Sequence, residues 1–240
     1  RLAGAMGRLI ERLGGVAVSA PAVRELPVPQ SPDAAAFTED LLAGRYDMLI
    51  LPTGHGARAL MAIMERHHPR AAVLDALGRV RLAVRGRRAI GVVREWGLSP
   101  SLAVAEPKTW RGLLAAIEED GPPAGLRVAI QESCDTQSEL AAALRQRGAD
   151  AAVIRVYTQA LPEEPAGLNG VIAEIAAGRV DAVMFTGAQQ VRHVILAAQQ
   201  LGREPALREA MKWAAIGSVG PATSDALRAA GLGVDFEPDV

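Results

Sequence analysis

The chain has 240 residues, half of them hydrophobic but only 3% aromatic, so any core must be built mainly from aliphatic side chains. A net charge of −1 argues against general nucleic-acid or membrane-surface binding, which a basic excess would favour. No apolar run approaches the roughly 20 residues that span a bilayer, and the single cysteine, Cys134, excludes an intramolecular disulfide and a multi-cysteine metal cluster. These properties predict a soluble α/β protein of a reducing compartment.

Apolar periodicity predicts helices that alternate with strands along the chain. Helical spacing ends at Gly14-Gly15, and Asp33 is expected to cap the next helix. The continuous apolar run Met48–Leu51 is typical of a strand buried on both faces. The predicted helices span residues 2–13, 33–43, 54–66, 137–147, 167–178, 188–202 and 221–230, and the predicted strands span 16–23, 48–51, 126–131, 151–157, 181–185 and a run ending at Val219. Such alternation predicts doubly wound parallel sheets.

The sequence also repeats itself. The pattern Ala-Gly-Arg-x-Asp ends at Asp47 and again at Asp181, an offset of 134 residues. Each copy continues into an apolar run and a Thr-Gly pair, Thr53-Gly54 and Thr186-Gly187, where the offset slips to 133. Two domains of one topology are therefore expected.

Proline-rich stretches at 27–32 and around Pro162 and Pro165 mark candidate linkers, both just after equivalent predicted strands. We expect a discontinuous domain of residues 1–30 and 160–240, an inserted domain of residues 33–157, and a cleft between them. The first copy lacks a counterpart of the predicted strand 126–131, so that strand is expected to precede Arg1.

Three predicted strand-to-helix turns carry glycine and threonine: residues 53–56, 186–189 and 220–223. Ligands bind open α/β sheets at the carboxyl ends of strands, and the free N–H groups of a helix start favour an anion such as carboxylate or phosphate. The alternative is that each threonine simply caps its helix. No dinucleotide-binding fingerprint and no Walker-type loop is present, which argues against nucleotide cofactors.

The four histidines, His55, His67, His68 and His193, lack metal-ligand spacing, which favours solvated or helix-terminal side chains over a metal site. Cys134 has no evident base partner and fits a loop or buried thiol better than a nucleophile.

Two further positions leave alternatives open. The basic cluster 85–88 suits either a solvated surface or carboxylate binding. Tyr157 ends a predicted strand before the second linker, so its hydroxyl either points into the cleft or belongs to a packing residue.

Six motifs in order resemble those of the uroporphyrinogen-III synthases, especially the actinobacterial-type branch, which often carries an additional carboxyl-terminal regulatory-like domain. They are Leu-Pro-Thr-Gly-His-Gly-Ala-Arg-Ala-Leu (51–60), Arg-Gly (85–86), Glu-Pro-Lys-Thr-Trp (106–110), Val-Tyr-Thr-Gln-Ala-Leu-Pro (156–162), Phe-Thr-Gly (185–187) and Ser-Val-Gly-Pro-Ala-Thr-Ser-Asp-Ala-Leu (218–227). The likeness covers nearly the whole chain.

The resemblance implies two flavodoxin-like domains joined by a two-stranded hinge. It implies a cytosolic, cofactor-free, metal-free monomer of haem, sirohaem and cobalamin biosynthesis, with a functional link to hydroxymethylbilane synthase and no nucleic-acid or membrane partner. Such enzymes cyclise the octacarboxylate hydroxymethylbilane to uroporphyrinogen III, inverting ring D through a spiro intermediate.

The resemblance also implies roles for particular residues. Tyr157 matches the family's tyrosine and is the expected general acid for the departing hydroxyl. The positions expected to bind substrate are Thr53, Gly54, Gly56, Arg85, Gly86, Thr109, Thr186, Gly187, Gln189 and Thr223.

The chain departs from the family where Gly54 and Gly187 replace frequent serines, and where residues 131–136 replace a glycine-rich turn. These departures keep an alternative open, a non-catalytic module that binds a tetrapyrrole or another polycarboxylate. A flavin or nucleotide binder has only fold-level analogy behind it.

Overall fold

A computed structural model describes residues 2–104, 109–133 and 138–238 of the chain. Its contacts divide the chain into two units. Unit 1 comprises Arg1–Arg24 with Ala160–Val240, and unit 2 comprises Glu25–Gln159.

The described residues form eleven helices and eight strands. The helices are α1 (Leu2–Arg12), α2 (Pro32–Leu42), α3 (Gly54–Met64), α4 (Arg70–Arg79), α5 (Gly86–Glu95), α6 (Trp110–Asp120), α7 (Glu139–Gln146), α8 (Ala166–Ala176), α9 (Ala188–Gln200), α10 (Glu204–Ala210) and α11 (Pro221–Ala229). The strands are β1 (Arg24–Pro27), β2 (Met48–Leu51), β3 (Arg81–Arg85), β4 (Leu102–Val104), β5 (Arg127–Ser133), β6 (Asp150–Ala160), β7 (Ala182–Phe185) and β8 (Ala215–Ser218). All seven predicted helices are confirmed to within two residues at each end. No helix in the described ranges is long and apolar enough to cross a membrane.

Unit 2 is built around a sheet in the order β1-β6-β5-β2-β3-β4, whose pairs from β6 through β4 are parallel. Strand β2 is fully buried, and its side chains alternate between two apolar clusters: Leu49 and Leu51 belong to one, Met48 and Ile50 to the other. Since neighbouring strand residues point to opposite faces, β2 is covered on both. The prediction for Met48–Leu51 is confirmed.

Unit 1 has a parallel pair of strands, β7 and β8, in register from Ala182 and Ala215. Its apolar cluster comes mainly from α8, α9, α10 and α11. Within the described part of this unit, a single bridge between Gly217 and Phe236 extends the pairing.

The repeat seen in the sequence recurs in the elements of the two units. Helices and strands that begin at residues 32, 48, 54, 70 and 81 have counterparts that begin at 166, 182, 188, 204 and 215, each 134 residues later. The repeated Ala-Gly-Arg segments end α2 and α8 in the same way. Gly44 and Gly178 adopt φ of 71° and 69°, and the N–H of the following arginine bonds back to Asp40 and to Glu174, respectively. Only glycine adopts this left-handed cap readily, which explains why the same segment recurs in both halves of the chain.

Two local predictions are wrong. Residues 16–23 form no strand; Val16 and Val18 are 91% and 73% exposed, and pairing starts only at Arg24, where β1 meets β6. Helix α2 is capped by Ser31, whose Oγ accepts a hydrogen bond from the Ala34 N–H, because Pro32 already occupies the first helical position.

The same pairing places residues 25–30 in unit 2, not with the discontinuous segment to which the proline-rich linker assigned them. Strand β1 pairs with β6, and the Val28 N–H donates to the Val156 carbonyl at 2.9 Å. Hydrogen bonding to β6, not proline content, sets the boundary here.

Candidate functional site

The turn between β2 and α3 is organised by Thr53. Its side chain caps α3, because Oγ1 accepts a hydrogen bond from the Gly56 N–H at 3.1 Å. The capping interpretation therefore holds for Thr53. The preceding N–H groups, on Gly54 and His55, lie in the first helical turn, where no intrahelical acceptor is available, so they suit an anion.

Gly54 and Gly56 are glycines for steric reasons. A Cβ on Gly54 would lie 2.9 Å from the Arg88 carbonyl oxygen, so the serine that the resemblance leads us to expect there does not fit. A Cβ on Gly56 would lie 2.0–2.1 Å from the side-chain amide of Gln131. The side chain of Gln131 thus occupies the space next to Gly56 that a larger residue would need.

Gln131, near the end of β5, is only 1% exposed. Its Oε1 lies 3.5 Å from the Thr53 hydroxyl, which donates to it, while its Nε2 has no hydrogen-bond partner in the described part of the chain. A buried amide donor without a partner costs about 1–3 kcal/mol, so its retention points to a ligand or water acceptor at this turn. No role in the site was predicted for Gln131, although a polar residue directly after the apolar run Val128–Ile130 was the available signal.

Tyr157, on β6, is 6% exposed and packs its ring edge-to-face against His55, with ring centroids 5.2 Å apart. Burial is the main cause that raises its pKa, and the carboxylates of Glu25 and Glu132 raise it further, against a hydrogen bond with Thr53 that lowers it. The phenol is therefore neutral at physiological pH and able to donate a proton or a hydrogen bond.

Arg85 ends β3 at the same edge of the sheet. Burial lowers the pKa of its guanidinium, an effect opposed by the nearby Glu132 and Tyr157. Its neighbours Arg87 and Arg88 are exposed. Of the two interpretations of the basic cluster, carboxylate binding suits Arg85 and a solvated surface suits the other two.

Glu132 completes this group of side chains and had no role in the sequence analysis. Ser138 donates to its Oε1 at 2.7 Å, and Oε2 is buried without a partner among the described residues. Burial is the largest effect on its pKa and raises it, with Ser138 and two arginines acting in the opposite direction.

Gly86 follows Arg85 directly and has a φ of 80°, which lets α5 begin without an intervening residue. Thr109 caps α6 by accepting from the Gly112 N–H at 3.1 Å. The segment 106–108 of its motif, like Cys134 and residues 135–136, lies outside the described residues. No group of three His, Cys, Asp or Glu suited to a metal occurs in the described ranges.

In unit 1 the second Thr-Gly pair has a different role. Gly187, not Thr186, is the cap of α9, and it has no side chain to bond the helix. Thr186 pairs with Gln190 instead: its N–H donates to Oε1 at 2.8 Å, and its Oγ1 accepts from Nε2 at 2.9 Å. The capping interpretation of Thr186 is wrong, because the one-residue slip in the repeat moves it out of the cap position.

Gln189 lies on the first turn of α9 and is held by His193. The Gln189 Nε2 and His193 Nε2 atoms are 3.0 Å apart, and His193 Nδ1 is 2.7 Å from the Ala22 carbonyl oxygen. His193 is only 5% exposed, so the prediction of a solvated or helix-terminal histidine is wrong at this position. Its place on the inner side of an amphipathic helix was the missed signal.

Buried polar side chains flank the turn after β8, although Val219, Pro221 and Ala222 within it are exposed. Thr223 is 4% exposed in the first turn of α11, and Gly220 precedes it with a φ of 155°. Ser218 and Ser224 are hydrogen-bonded to each other, and Ser224 donates to Glu237. The structure thus places predicted residues at three strand-to-helix turns, with Thr53, Gly56, Arg85 and Tyr157 gathered in unit 2.

A mainly parallel α/β fold with capped, glycine-bearing turns at the carboxyl ends of its strands defines a class of proteins that bind ligands at those ends. Residues 4–240 match the family model of the uroporphyrinogen-III synthase HemD, also called HEM4. The chain therefore belongs to the uroporphyrinogen-III synthase family.

Individual relatives are distant but cover almost the whole chain. An uncharacterized Bacillus subtilis protein, YjjA, is 28% identical over 97% of this chain and 85% of its own length. A Methanothermobacter thermautotrophicus protein named "Putative uroporphyrinogen-III synthase" is 28% identical over 93% and 84%. A crystal structure of a mutant uroporphyrinogen III synthase from the extremely thermophilic bacterium Thermus thermophilus is similar with a TM-score of 0.69 and 27% identity, over 99% of this chain and 88% of that one.

Proposed function

We propose that this protein is a uroporphyrinogen-III synthase, which dehydrates and cyclises hydroxymethylbilane with inversion of ring D. The observation that carries the proposal is Tyr157: a buried, neutral phenol hydrogen-bonded to Thr53 at the carboxyl end of a parallel sheet. Family membership supports the same reaction.

Each group at the unit 2 turn suits part of this reaction. The substrate's carboxylates are acceptors, matched by the first N–H groups of α3 and the unpartnered Gln131 Nε2. The half-buried Arg85 supplies a positive charge for the same groups. When the acetate and propionate side chains of the substrate are held in this way, the linear tetrapyrrole has fewer conformations available. This restriction favours closure to isomer III over closure to isomer I.

Tyr157 is proposed to act on the leaving group. The hydroxymethyl oxygen departs as water when the phenol donates a proton, and the resulting azafulvene carbon is attacked by the substituted carbon of ring D. The spiro intermediate fragments and recloses, and the ring carbon that forms the last bond loses a proton, which restores the phenol. The sum is loss of one water. A general acid of this kind contributes typically 10²-fold or more.

The architecture is proposed to be two flavodoxin-like domains. If the strands of unit 2 are renumbered so that β5 and β6 become strands 1 and 2 and β2, β3 and β4 become strands 3, 4 and 5, the sheet order β6-β5-β2-β3-β4 reads 2-1-3-4-5. This is the strand order of the doubly wound flavodoxin type. The 134-residue repeat supports a common origin for unit 1. A cytosolic, cofactor-free monomer with a functional link to hydroxymethylbilane synthase remains part of the proposal.

Isomer analysis tests the activity. Hydroxymethylbilane is generated in situ, the products are oxidised, and porphyrin isomers I and III are separated. We expect isomer III in excess over an enzyme-free control, which closes spontaneously to isomer I. Isomer I alone from folded protein, with retained tetrapyrrole binding, would favour the non-catalytic binding module.

A further inference from the structure

We propose that Arg85 and Glu132 together bind one pyrrole ring of the substrate: Arg85 pairs with a carboxylate side chain of the ring, and Glu132 accepts a hydrogen bond from the ring N–H. The inference rests on the proposed function, because it concerns how that substrate is recognised within unit 2. Glu132, which takes no part in the proposed proton transfer, becomes a binding residue.

The two charged residues lie on the same face of the unit 2 sheet. Ala83 of β3 and Ile130 of β5 both belong to the apolar cluster that α6 and α7 cover. Arg85 and Glu132 each follow by two residues, so their side chains leave the sheet on that face. The irregularity in β5 begins only after Glu132 and does not alter this alternation. Ser138, the cap of α7, agrees with the placement, because it donates to Glu132 Oε1 at 2.7 Å.

The two residues are also level with each other along the strands. The register of β2 with β3 and with β5, continued to the strand ends, brings Pro52 level with Arg85 on one side and Glu132 on the other. Their backbones are thus about 10 Å apart, since each neighbouring strand adds about 4.8 Å. Pro52 follows Ile50 of the same cluster by two residues and so shares this face. Its short ring leaves an apolar surface between the two longer, charged side chains.

Arg85 and Glu132 influence each other without pairing. Burial lowers the pKa of Arg85 and raises that of Glu132, and in each case the charge of the other residue opposes the shift. Yet Glu132 Oε2 is closed off from water and has no hydrogen-bond partner in the described part of the chain. A buried acceptor without a donor is costly, so its retention points to a donor that enters with the ligand as neighbouring side chains move aside.

The end of β5 carries two unpartnered atoms of opposite polarity. Gln131 Nε2 is a donor on the side of α3, beside Gly56, whereas Glu132 Oε2 is an acceptor on the side of α7. A carboxylate satisfies the first atom and not the second, because it only accepts. A pyrrole ring offers an N–H donor, an apolar face and carboxylate side chains, which match Glu132, Pro52 and Arg85 in turn. An aliphatic polycarboxylate offers no donor, so Glu132 distinguishes a pyrrole from other ligands of the same charge.

A matched pair of small ligands tests the N–H contact on the full chain. One is a pyrrole with one acetate and one propionate side chain and with both α-carbons methylated. The other is the furan with the same substituents, in which the ring oxygen replaces the N–H. Dissociation constants come from the ¹H relaxation of each ligand in titrations. We expect the pyrrole to bind about tenfold more tightly than the furan, the value of one hydrogen bond.

Variants assign the contact to Glu132. In Glu132→Gln an amide N–H can take the place of the accepting Oε2, so the preference for the pyrrole should disappear while both ligands still bind. Glu119→Gln removes the same charge from the exposed end of α6 and should keep the tenfold preference. Arg85→Met should weaken both ligands by the same factor, and Arg85→Lys, which keeps the positive charge, should restore part of the loss.

The comparison in the unaltered chain does not depend on how any variant folds. A furan bound as tightly as the pyrrole, no binding of the pyrrole, or a preference that survives in Glu132→Gln would overturn the inference. Its failure is separable from that of the proposed function. Isomer III formed by a chain that does not prefer the pyrrole contradicts only the inference, whereas a Glu132-dependent preference without isomer III contradicts only the activity.

Discussion

At the residue scale, Tyr157 owes its chemistry to burial. The phenol's pKa is raised, first by desolvation and then by neighbouring carboxylates, so the O–H proton is present across the neutral range. The chain has one other tyrosine, Tyr46, which is also in unit 2 and also has a raised pKa, but which packs against Phe37 in the core cluster instead of the Thr53 turn.

That pair gives a matched test. Tyr157→Phe removes only the hydroxyl, and we expect a fall of about 10²-fold in the rate of isomer III formation, at the low end for loss of a general acid. Tyr46→Phe should retain the wild-type rate, because Tyr46 is remote from the donors of the site. Equal rates in both variants would remove Tyr157 from proton transfer.

Gly56 provides a second test at this scale. In Gly56→Ala the new Cβ would overlap the Gln131 amide, so we expect loss of about 1–3 kcal/mol of stability from overpacking and weaker substrate binding from the displaced amide. Gly91→Ala, in the middle of α5 with no atom within 4 Å of the new Cβ, is the control and should gain up to about 1 kcal/mol. Chemical denaturation and KM measure the two effects. An unaffected KM in Gly56→Ala would separate Gln131 from ligand binding.

At the element scale, Asp47 joins β2 to its neighbours. Its carboxylate accepts from the Arg127 backbone N–H at 2.8 Å and from the Arg127 guanidinium, while its own carbonyl accepts from the Arg81 N–H at 3.0 Å. The side-chain hydrogen bond from Arg127 is the main cause that lowers the pKa of Asp47. A lowered pKa stabilises the fold above the ordinary carboxyl pKa, and this contribution is lost as the pH falls through the folded value.

We therefore expect Asp47→Asn to lower Tm by roughly 2–4 °C at pH 7, and the difference from wild type to shrink below about pH 4. Asp181 occupies the equivalent place before β7, and its side chain makes no described contact, so Asp181→Asn should leave Tm unchanged. Thermal melts at several pH values measure both. A pH-independent deficit in Asp47→Asn would show that geometry, not charge, is responsible.

Sequence patterns predicted those elements whose apolar residues match the faces that are buried in the structure. Met48–Leu51 is apolar because both faces are covered, so its pattern and its structure agree. Val16 and Val18 have equal β propensity but no neighbouring strand, and such propensity forms a strand only when a partner supplies hydrogen bonds. Helices α4, α5, α6 and α10 and strands β1, β3 and β4 were not predicted.

The candidate site was predicted in part, for a related reason. Thr53 follows one predicted strand and Tyr157 ends another, whereas strand β3, which Arg85 ends, was not predicted; topology brings the carboxyl ends of parallel strands to one edge. The distinct roles of Thr53 and Thr186 depend on a one-residue shift of the helix start, which no composition reveals. The role of Gln131 could not be predicted, because its amide packs where a Cβ of residue 56 would lie, and Gly56 is 75 residues away in sequence.

At the scale of the whole molecule, each unit has its own apolar core. Two clusters cover the faces of the unit 2 sheet, and a third lies within unit 1. The tryptophans are unevenly distributed: Trp96 is buried and Trp110 half-buried in unit 2, whereas Trp213, in unit 1, is 86% exposed. Tryptophan emission should therefore follow the unfolding of unit 2, while far-UV circular dichroism follows the helices of both.

Matched core substitutions use this difference. Leu60 in unit 2 and Ile172 in unit 1 are both fully buried, and truncation of either to alanine costs about 2–5 kcal/mol. In urea we expect Leu60→Ala to shift the tryptophan transition to lower denaturant. Ile172→Ala should leave that transition in place and produce an earlier loss of helical signal. Trp213→Phe, the control, should not alter the emission transition. If both alanine variants moved both signals together, the two units would unfold as one cooperative body, and the separate cores would not mark separate units of stability.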